Sequence, residues 1–75
     1  MKELALYLVQ QLADHPERVT VRESEQGGTV TLRVGVADED KGKVIGKQGK
    51  VIKAIRAVVS AAAAKAGKRT SLDLD

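Results

Sequence analysis

The spacing of apolar residues changes period three times along this 75-residue chain, and these changes restrict the possible folds more than any other feature. In the first segment the apolar residues recur every three or four positions, at Met1, Leu4, Ala5, Leu8, Val9 and Leu12. This spacing predicts an amphipathic helix that ends near Asp14. His15 precedes Pro16, and a residue before proline avoids helical backbone angles. Leu6 falls outside the apolar face, so we expect it to be an exposed leucine.

Apolar and polar residues alternate in the next two segments, 19–25 and 29–36. The second segment shows the pattern most clearly, at Val30, Leu32, Val34 and Val36. Alternation with period two predicts half-buried strands. The sequence Gln26-Gly27-Gly28 between them can adopt positive φ angles, so we expect an antiparallel hairpin with one solvated face.

The helical period then returns in two segments. Asp38 and Asp40 are placed to cap and begin a short helix that carries Val44 and Ile45 and ends at Gly46. A long helix is predicted from Gly49 to about Ala66, with Gly67 as the residue that ends it. Its apolar stripe comprises Val51, Ile52, Ile55, Val58, Val59, Ala62, Ala63 and Ala66.

The alternation in 71–75 predicts a final short strand that buries Leu72 and Leu74. The predicted order is helix, strand, strand, helix, helix, strand. Because only one face of the hairpin is apolar, all three helices are expected on that face of one sheet. The last strand follows a crossover, so it should lie parallel to a hairpin strand. The sequence therefore predicts an α+β fold with a three-stranded mixed sheet and a single domain over residues 1–75.

The composition excludes several classes of site. The chain has no cysteine, which removes disulfides, thiolate metal ligands and a cysteine nucleophile. His15 is the only histidine and has no partner for catalysis, so we expect a solvated turn residue and no enzymatic activity. Asp73 and Asp75 are expected to be solubilising charges on an edge strand. We predict no metal and no cofactor.

The aromatic content is 1%, which is Tyr7 alone, so the core must be aliphatic and Tyr7 should pack at the edge of the first helix. No apolar run approaches the roughly 18 residues that a membrane span needs. We therefore expect a soluble and cytoplasmic protein.

The segment 41–56 has the strongest functional pattern. It contains the loop Gly46-Lys47-Gln48-Gly49, no acidic residue, and the basic residues Lys41, Lys43, Lys47, Lys50, Lys53 and Arg56. Glycines allow the backbone to approach a phosphate, and the start of the next helix offers free N–H groups. The competing interpretations are a purely geometric connection and a solvated face of lysines. A nucleotide P-loop does not fit, because Gly42 and Gly46 are too close together and Gln48 replaces the hydroxyl residue that would hold magnesium.

The run VIGKQGKVIKAIR at 44–56 resembles the signature of the KH domain, and the predicted element order resembles its type II arrangement from end to end. The chain is most similar to small bacterial KH proteins that consist of this domain alone. The resemblance implies that single-stranded RNA, less often DNA, lies in a groove beside the loop, with the loop holding about four nucleotides. It also implies a homodimer and association with a larger cytoplasmic RNA-binding protein that has its own KH domain.

The resemblance also implies site residues. Gly46 and Gly49 correspond to the hinge glycines, and Lys47 and Gln48 to the pair that faces the phosphates. The remaining implied RNA-binding residues flank the loop: Gly42, Lys43, Val44, Ile45, Lys50 and Lys53. The main hypothesis is a sequence-tolerant RNA-binding protein, either a post-transcriptional regulator or an RNA chaperone. The alternative is a protein-interaction adaptor in which the KH fold mainly mediates dimerisation.

Overall fold

The computed structural model describes residues 1–75 and contains the predicted order of helices and strands. The elements are α1 (Lys2–Leu12), β1 (Thr20–Gln26), β2 (Thr29–Gly35), α2 (Lys41–Ile45), α3 (Lys50–Lys65) and β3 (Arg69–Leu74). Single turns of 3₁₀ helix at Pro16–Arg18, Asp38–Asp40 and Lys47–Gly49 connect them. None of the helices combines the length and apolar character that crossing a membrane requires.

The three strands form one mixed sheet in the order β1-β2-β3. β1 and β2 are antiparallel, and β2 and β3 are parallel, as predicted. The hairpin turn consists of Gly27 and Gly28, whose φ angles of 59° and 81° are both positive. Two successive positive φ angles match the right-handed twist of the strands, which explains the pair of glycines.

The core lies between the sheet and the helices. Its buried members are aliphatic and come from all three helices and all three strands: Ala5, Val9, Val19, Val21, Val30, Leu32, Val34, Val44, Ile52, Ile55, Val59 and Leu72. All three helices therefore pack on one face of the sheet, which confirms the predicted α+β fold. Leu32, in the central strand, is fully buried.

Two expectations about the helix faces are corrected. Leu6 is partly buried and packs against the core. Because α1 contacts both β1 and α3, the buried arc of α1 is wider than a single apolar stripe. Leu12, the last residue of α1, and Val58, on the outer side of α3, are instead exposed.

The end of α3 follows the prediction for Gly67. Gly67 has a φ of 71°, its N–H donates to the Ala64 carbonyl at 3.0 Å, and the Lys68 N–H donates to the Ala63 carbonyl at 3.0 Å. These two bonds are the Schellman pattern that satisfies the last carbonyls of a helix. The Arg69 N–H then donates to the Gly28 carbonyl at 3.0 Å, so β3 begins beside the hairpin turn.

Asp40 does not cap α2, contrary to the prediction. Its backbone angles, φ −94° and ψ −10°, are already helical, and a capping side chain needs extended angles to reach back to its own helix. The Asp40 side chain is fully buried and accepts the N–H groups of Asp14 at 3.1 Å and His15 at 2.9 Å. Asp38 also makes no capping bond; it pairs with Lys41 at 3.3 Å.

The acidic residues of β3 and its end have partners, so they are more than solubilising charges. The Asp75 carboxylate accepts hydrogen bonds from both Nε and Nη2 of Arg33, at 3.0 and 2.8 Å. Asp73 accepts Nη2 of Arg56 at 3.4 Å. Each carboxylate thus connects β3 to a neighbouring element, β2 or α3.

Candidate nucleic-acid interface

The two glycines of the loop are required for different reasons. Gly46 has φ 76° and ψ 172°, and a Cβ there would lie 2.3 Å from Cγ2 and 2.9 Å from the backbone nitrogen of Val51. Gly49 has φ 74° and ψ 15°, but a Cβ there would meet only the Lys53 Cε at 4.0 Å. Position 46 therefore has no room for a side chain, whereas position 49 has room but requires a left-handed backbone conformation, which glycine adopts readily.

The backbone of the loop presents free donors between these glycines. Gly46 donates to the Gly42 carbonyl at 2.9 Å, and Gly49 donates to the Gly46 carbonyl at 3.1 Å. The N–H groups of Lys47 and Gln48 donate to no other group of the protein. Gln48 is also left-handed, with φ 58° and ψ 26°. Successive N–H groups in such a turn form a concave site that attracts anions.

The lysines around the loop differ in their partners. Lys47, Lys50 and Lys53 are exposed and form no ion pair. Lys43, on α2, donates to the carboxylate of Asp14. This hydrogen bond, together with the negative charges of Asp14 and Asp40, raises the pKa of Lys43. The cationic surface beside the loop is therefore formed mainly by α3.

An open cleft of about 300 Å³ lies between α3 and β3, and the sequence analysis did not identify it. Its lining residues are Arg56, Ser60, Thr70, Ser71, Leu72 and Asp73. Gly49, Lys53, Arg56 and Ser60 are spaced by four, three and four positions, so they lie along one side of α3. The cleft therefore continues the surface that begins at the loop.

Arg56 and the free edge of β3 form the polar part of the cleft. Arg56 Nε donates to the Leu72 carbonyl at 2.8 Å, and Nη2 reaches Asp73. Because the N–H groups of Arg69 and Asp75 point towards β2, the backbone groups of Thr70 and Leu72 must point to the open edge. The cleft thus offers backbone donors and acceptors beside a fixed guanidinium group.

Comparison with known protein families agrees with this architecture. The family model described as KhpA/KhpB, KH domain, matches residues 2–74. The chain belongs to this family. The KH resemblance noted in the sequence is therefore confirmed over almost the whole chain.

Several bacterial proteins similar to this KH domain are named RNA-binding protein KhpA. The relative from Clostridium perfringens is 46% identical over 74 residues, covering 99% of both chains. The relative from Listeria monocytogenes is 43% identical, covering 99% of this chain and 97% of its own. The relative from Chlamydia pneumoniae is 39% identical, covering 99% of this chain and 95% of its own.

The remaining predicted site residues of this KH domain fall into two groups. Ile45 is 40% exposed immediately before Gly46, so it presents an apolar surface at the loop. Gly42 is exposed on α2, with open space where a Cβ would be. Val44, by contrast, is 1% exposed and belongs to the core. The Val44 side chain therefore supports α2 from beneath and has no surface to offer a ligand.

The buried carboxylate of Asp40 fixes the position of α2 in this KH domain. Burial by itself raises the pKa of Asp40, but the N–H donations from His15 and Asp14 and the nearby His15 and Lys43 lower it overall. His15 is partly exposed, and its ring lies 3.7 Å from Glu17 and 3.6 Å from Glu39. Asp40 thus ties the turn after α1 to the helix that leads into the loop.

Proposed function

We propose that this KH domain binds single-stranded RNA, with the phosphates at the loop 46–49 and the bases along the cleft between α3 and β3. One observation carries the proposal: the unpartnered N–H groups of Lys47 and Gln48 lie in a loop whose conformation excludes a side chain at Gly46. Bare amides of this kind suit a polyanionic backbone. The names of the bacterial relatives support the same ligand.

The phosphate contacts come from the backbone of the loop and from Lys47, Lys50 and Lys53. The exposed part of Ile45 gives the adjoining bases an apolar surface. Three lysine contacts with a single strand correspond to a slope of about −2 in a plot of log K against log salt concentration. Selectivity is modest because few base edges can be reached by Arg56 and the free backbone groups of β3.

The contributions of the other residues of the predicted site follow from their positions. Gly42 is exposed on α2 and leaves open space beside the loop, and Val44 holds α2 on the core. Lys43 is near the loop, but it is engaged by Asp14. We place the protein among RNA-binding modules rather than enzymes, acting in the cytoplasm as a post-transcriptional regulator or RNA chaperone.

Association with other chains is part of the proposal. Val58 is 48% exposed on α3, and Ala54, Ala57 and Ala61 on the same helix are also exposed. This apolar area supports a homodimer or a complex with a larger RNA-binding protein that contains a KH domain. It also favours the second candidate function, an adaptor whose main ligand is a protein. A measurement of mass in solution tests the homodimer directly.

The double substitution Lys47→Asp, Gln48→Asp tests the RNA site. It places two carboxylates at the phosphate position, so affinity for a short single-stranded RNA should fall at least about tenfold at low salt. The matched control is Lys2→Asp, Gln11→Asp, which makes the same exchanges at exposed positions of α1. Fluorescence anisotropy measures binding, and circular dichroism verifies folding. Equal affinity of the folded loop variant and the control would exclude the loop and favour the adaptor.

A further inference from the structure

Acidic residues cluster around the beginning of α2. They come from the turn after α1 and from the segment before α2: Asp14, Glu17, Asp38, Glu39 and the buried Asp40. α2 therefore has acidic residues at its beginning and the basic loop at its end. Lys43 lies at the border between these two regions.

The backbone of Asp14 is held at the beginning of α2, and its exposed carboxylate pairs with Lys43. The backbone N–H of Asp14 donates to Asp40 Oδ1 at 3.1 Å, and the N–H of His15 donates to Oδ2 at 2.9 Å. Asp40 is fully buried, and these two bonds are partly buried. Asp14 cannot move away from α2 without breaking its hydrogen bond to Asp40. Its carboxylate accepts a hydrogen bond from the ammonium group of Lys43.

We propose that Asp14 is a boundary residue, which engages Lys43 and so confines bound RNA to the side of the loop formed by Lys47, Lys50 and Lys53. The inference rests on the proposed function. The carboxylate of Asp14 repels phosphates that approach over α2, and it neutralises the lysine that would otherwise attract them. The strand is thereby directed towards the cleft at Arg56 and away from the turn after α1.

A double-mutant cycle between Asp14 and Lys43 tests this proposal. The Asp14→Asn variant keeps the shape of the side chain and the backbone N–H that donates to Asp40, but it removes the negative charge of the side chain. Its affinity for a short single-stranded RNA should rise about two- to fivefold, since an exposed pair of this kind is weak. The released lysine adds one phosphate contact, so the salt slope should steepen by about 0.7. Lys43→Gln should weaken binding less than Lys50→Gln in the natural chain, but in the Asp14→Asn background it should cancel the gain.

The matched control uses the neighbouring pair Asp38–Lys41, whose atoms are 3.3 Å apart. Asp38→Asn and Lys41→Gln change the same charges farther from the loop, and they should leave both affinity and salt slope nearly unchanged. If Asp14→Asn gives no gain, or no larger gain than Asp38→Asn, the boundary role is wrong. If the natural chain itself binds no RNA, or the loop variant Lys47→Asp, Gln48→Asp binds equally well, the proposed function has failed instead.

Discussion

Replacing Gly46 with alanine should destabilise the protein far more than the same change at Gly49. The Gly46 angles, φ 76° and ψ 172°, lie in a region that is essentially restricted to glycine, which costs roughly 1–3 kcal/mol for alanine. The new Cβ would also lie 2.3 Å from Val51 Cγ2, and such overpacking adds roughly 1–3 kcal/mol. The expected loss is therefore about 4 kcal/mol. A domain of this size has a total stability of only about 4–11 kcal/mol.

Two other glycines of the same region provide controls. Gly49→Ala pays only for its left-handed backbone, about 1 kcal/mol, because its nearest neighbour is a flexible lysine carbon at 4.0 Å. Gly42 lies in α2, does not have a positive φ, and has open space around it, so Gly42→Ala should stabilise by about 0.5–1 kcal/mol. The expected order of stability is Gly42→Ala, natural chain, Gly49→Ala, Gly46→Ala.

Urea denaturation followed by circular dichroism measures this order, and thermal melting verifies it. Each kcal/mol corresponds to about 4–8 °C in Tm for a small domain, so Gly46→Ala should melt at least about 15 °C below the natural chain. Equal stabilities of Gly46→Ala and Gly49→Ala would refute the argument, because they would show that the contact with Val51 imposes no constraint on the loop.

Three further predictions concern the core, the buried acid and the cleft. Leu32→Ala should cost about 2–5 kcal/mol in urea denaturation, because Leu32 is fully buried in the central strand; a smaller loss would show that the cavity collapses. Because the pKa of Asp40 is lowered in the folded protein, its charged carboxylate stabilises the fold at pH values above the ordinary pKa of 3.8. This stabilisation is lost as the pH falls from 3.8 towards the lowered pKa. The Asp40→Asn variant should therefore be less stable than the natural chain at pH 7, and its free energy of unfolding should fall less between about pH 5 and 2. Parallel plots of unfolding free energy against pH for the two proteins would contradict this. Arg56→Met removes the bond to the Leu72 carbonyl and should cost about 1 kcal/mol and reduce discrimination between bases, measured by denaturation and by binding of homopolymeric RNAs; unchanged discrimination would exclude the cleft from base contact.

The fold was largely predictable because each element has a local sequence pattern that agrees with its final structure. The alternation at Val30, Leu32 and Val34 requires a strand with one buried face, and Gly27-Gly28 requires a turn. The bounds of α3 followed from Gly49 and Gly67, since both have the left-handed angles that interrupt a helix. At these positions the conformation that the local sequence favours is the same as the one that the tertiary fold requires.

The features that the sequence did not predict depend on contacts between distant residues. Asp40 has the spacing of a helix cap, but its carboxylate is used by Asp14 and His15, far away in the chain. Leu6 packs against the core although it lies outside the apolar stripe of α1. The cleft forms only where Arg56 meets β3. The periodicity of apolar residues within one segment does not predict such tertiary contacts.

The placement of the cleft has a consequence for the order in which the proposed binding surface is assembled. β3 is made after the loop and α3, and its register joins Thr29 to Arg69 and Leu32 to Leu72 across a long stretch of chain. Pairings between such distant residues form slowly. During synthesis the loop therefore emerges before one wall of the cleft exists, so under the proposed function attraction of phosphates would precede any contact with bases.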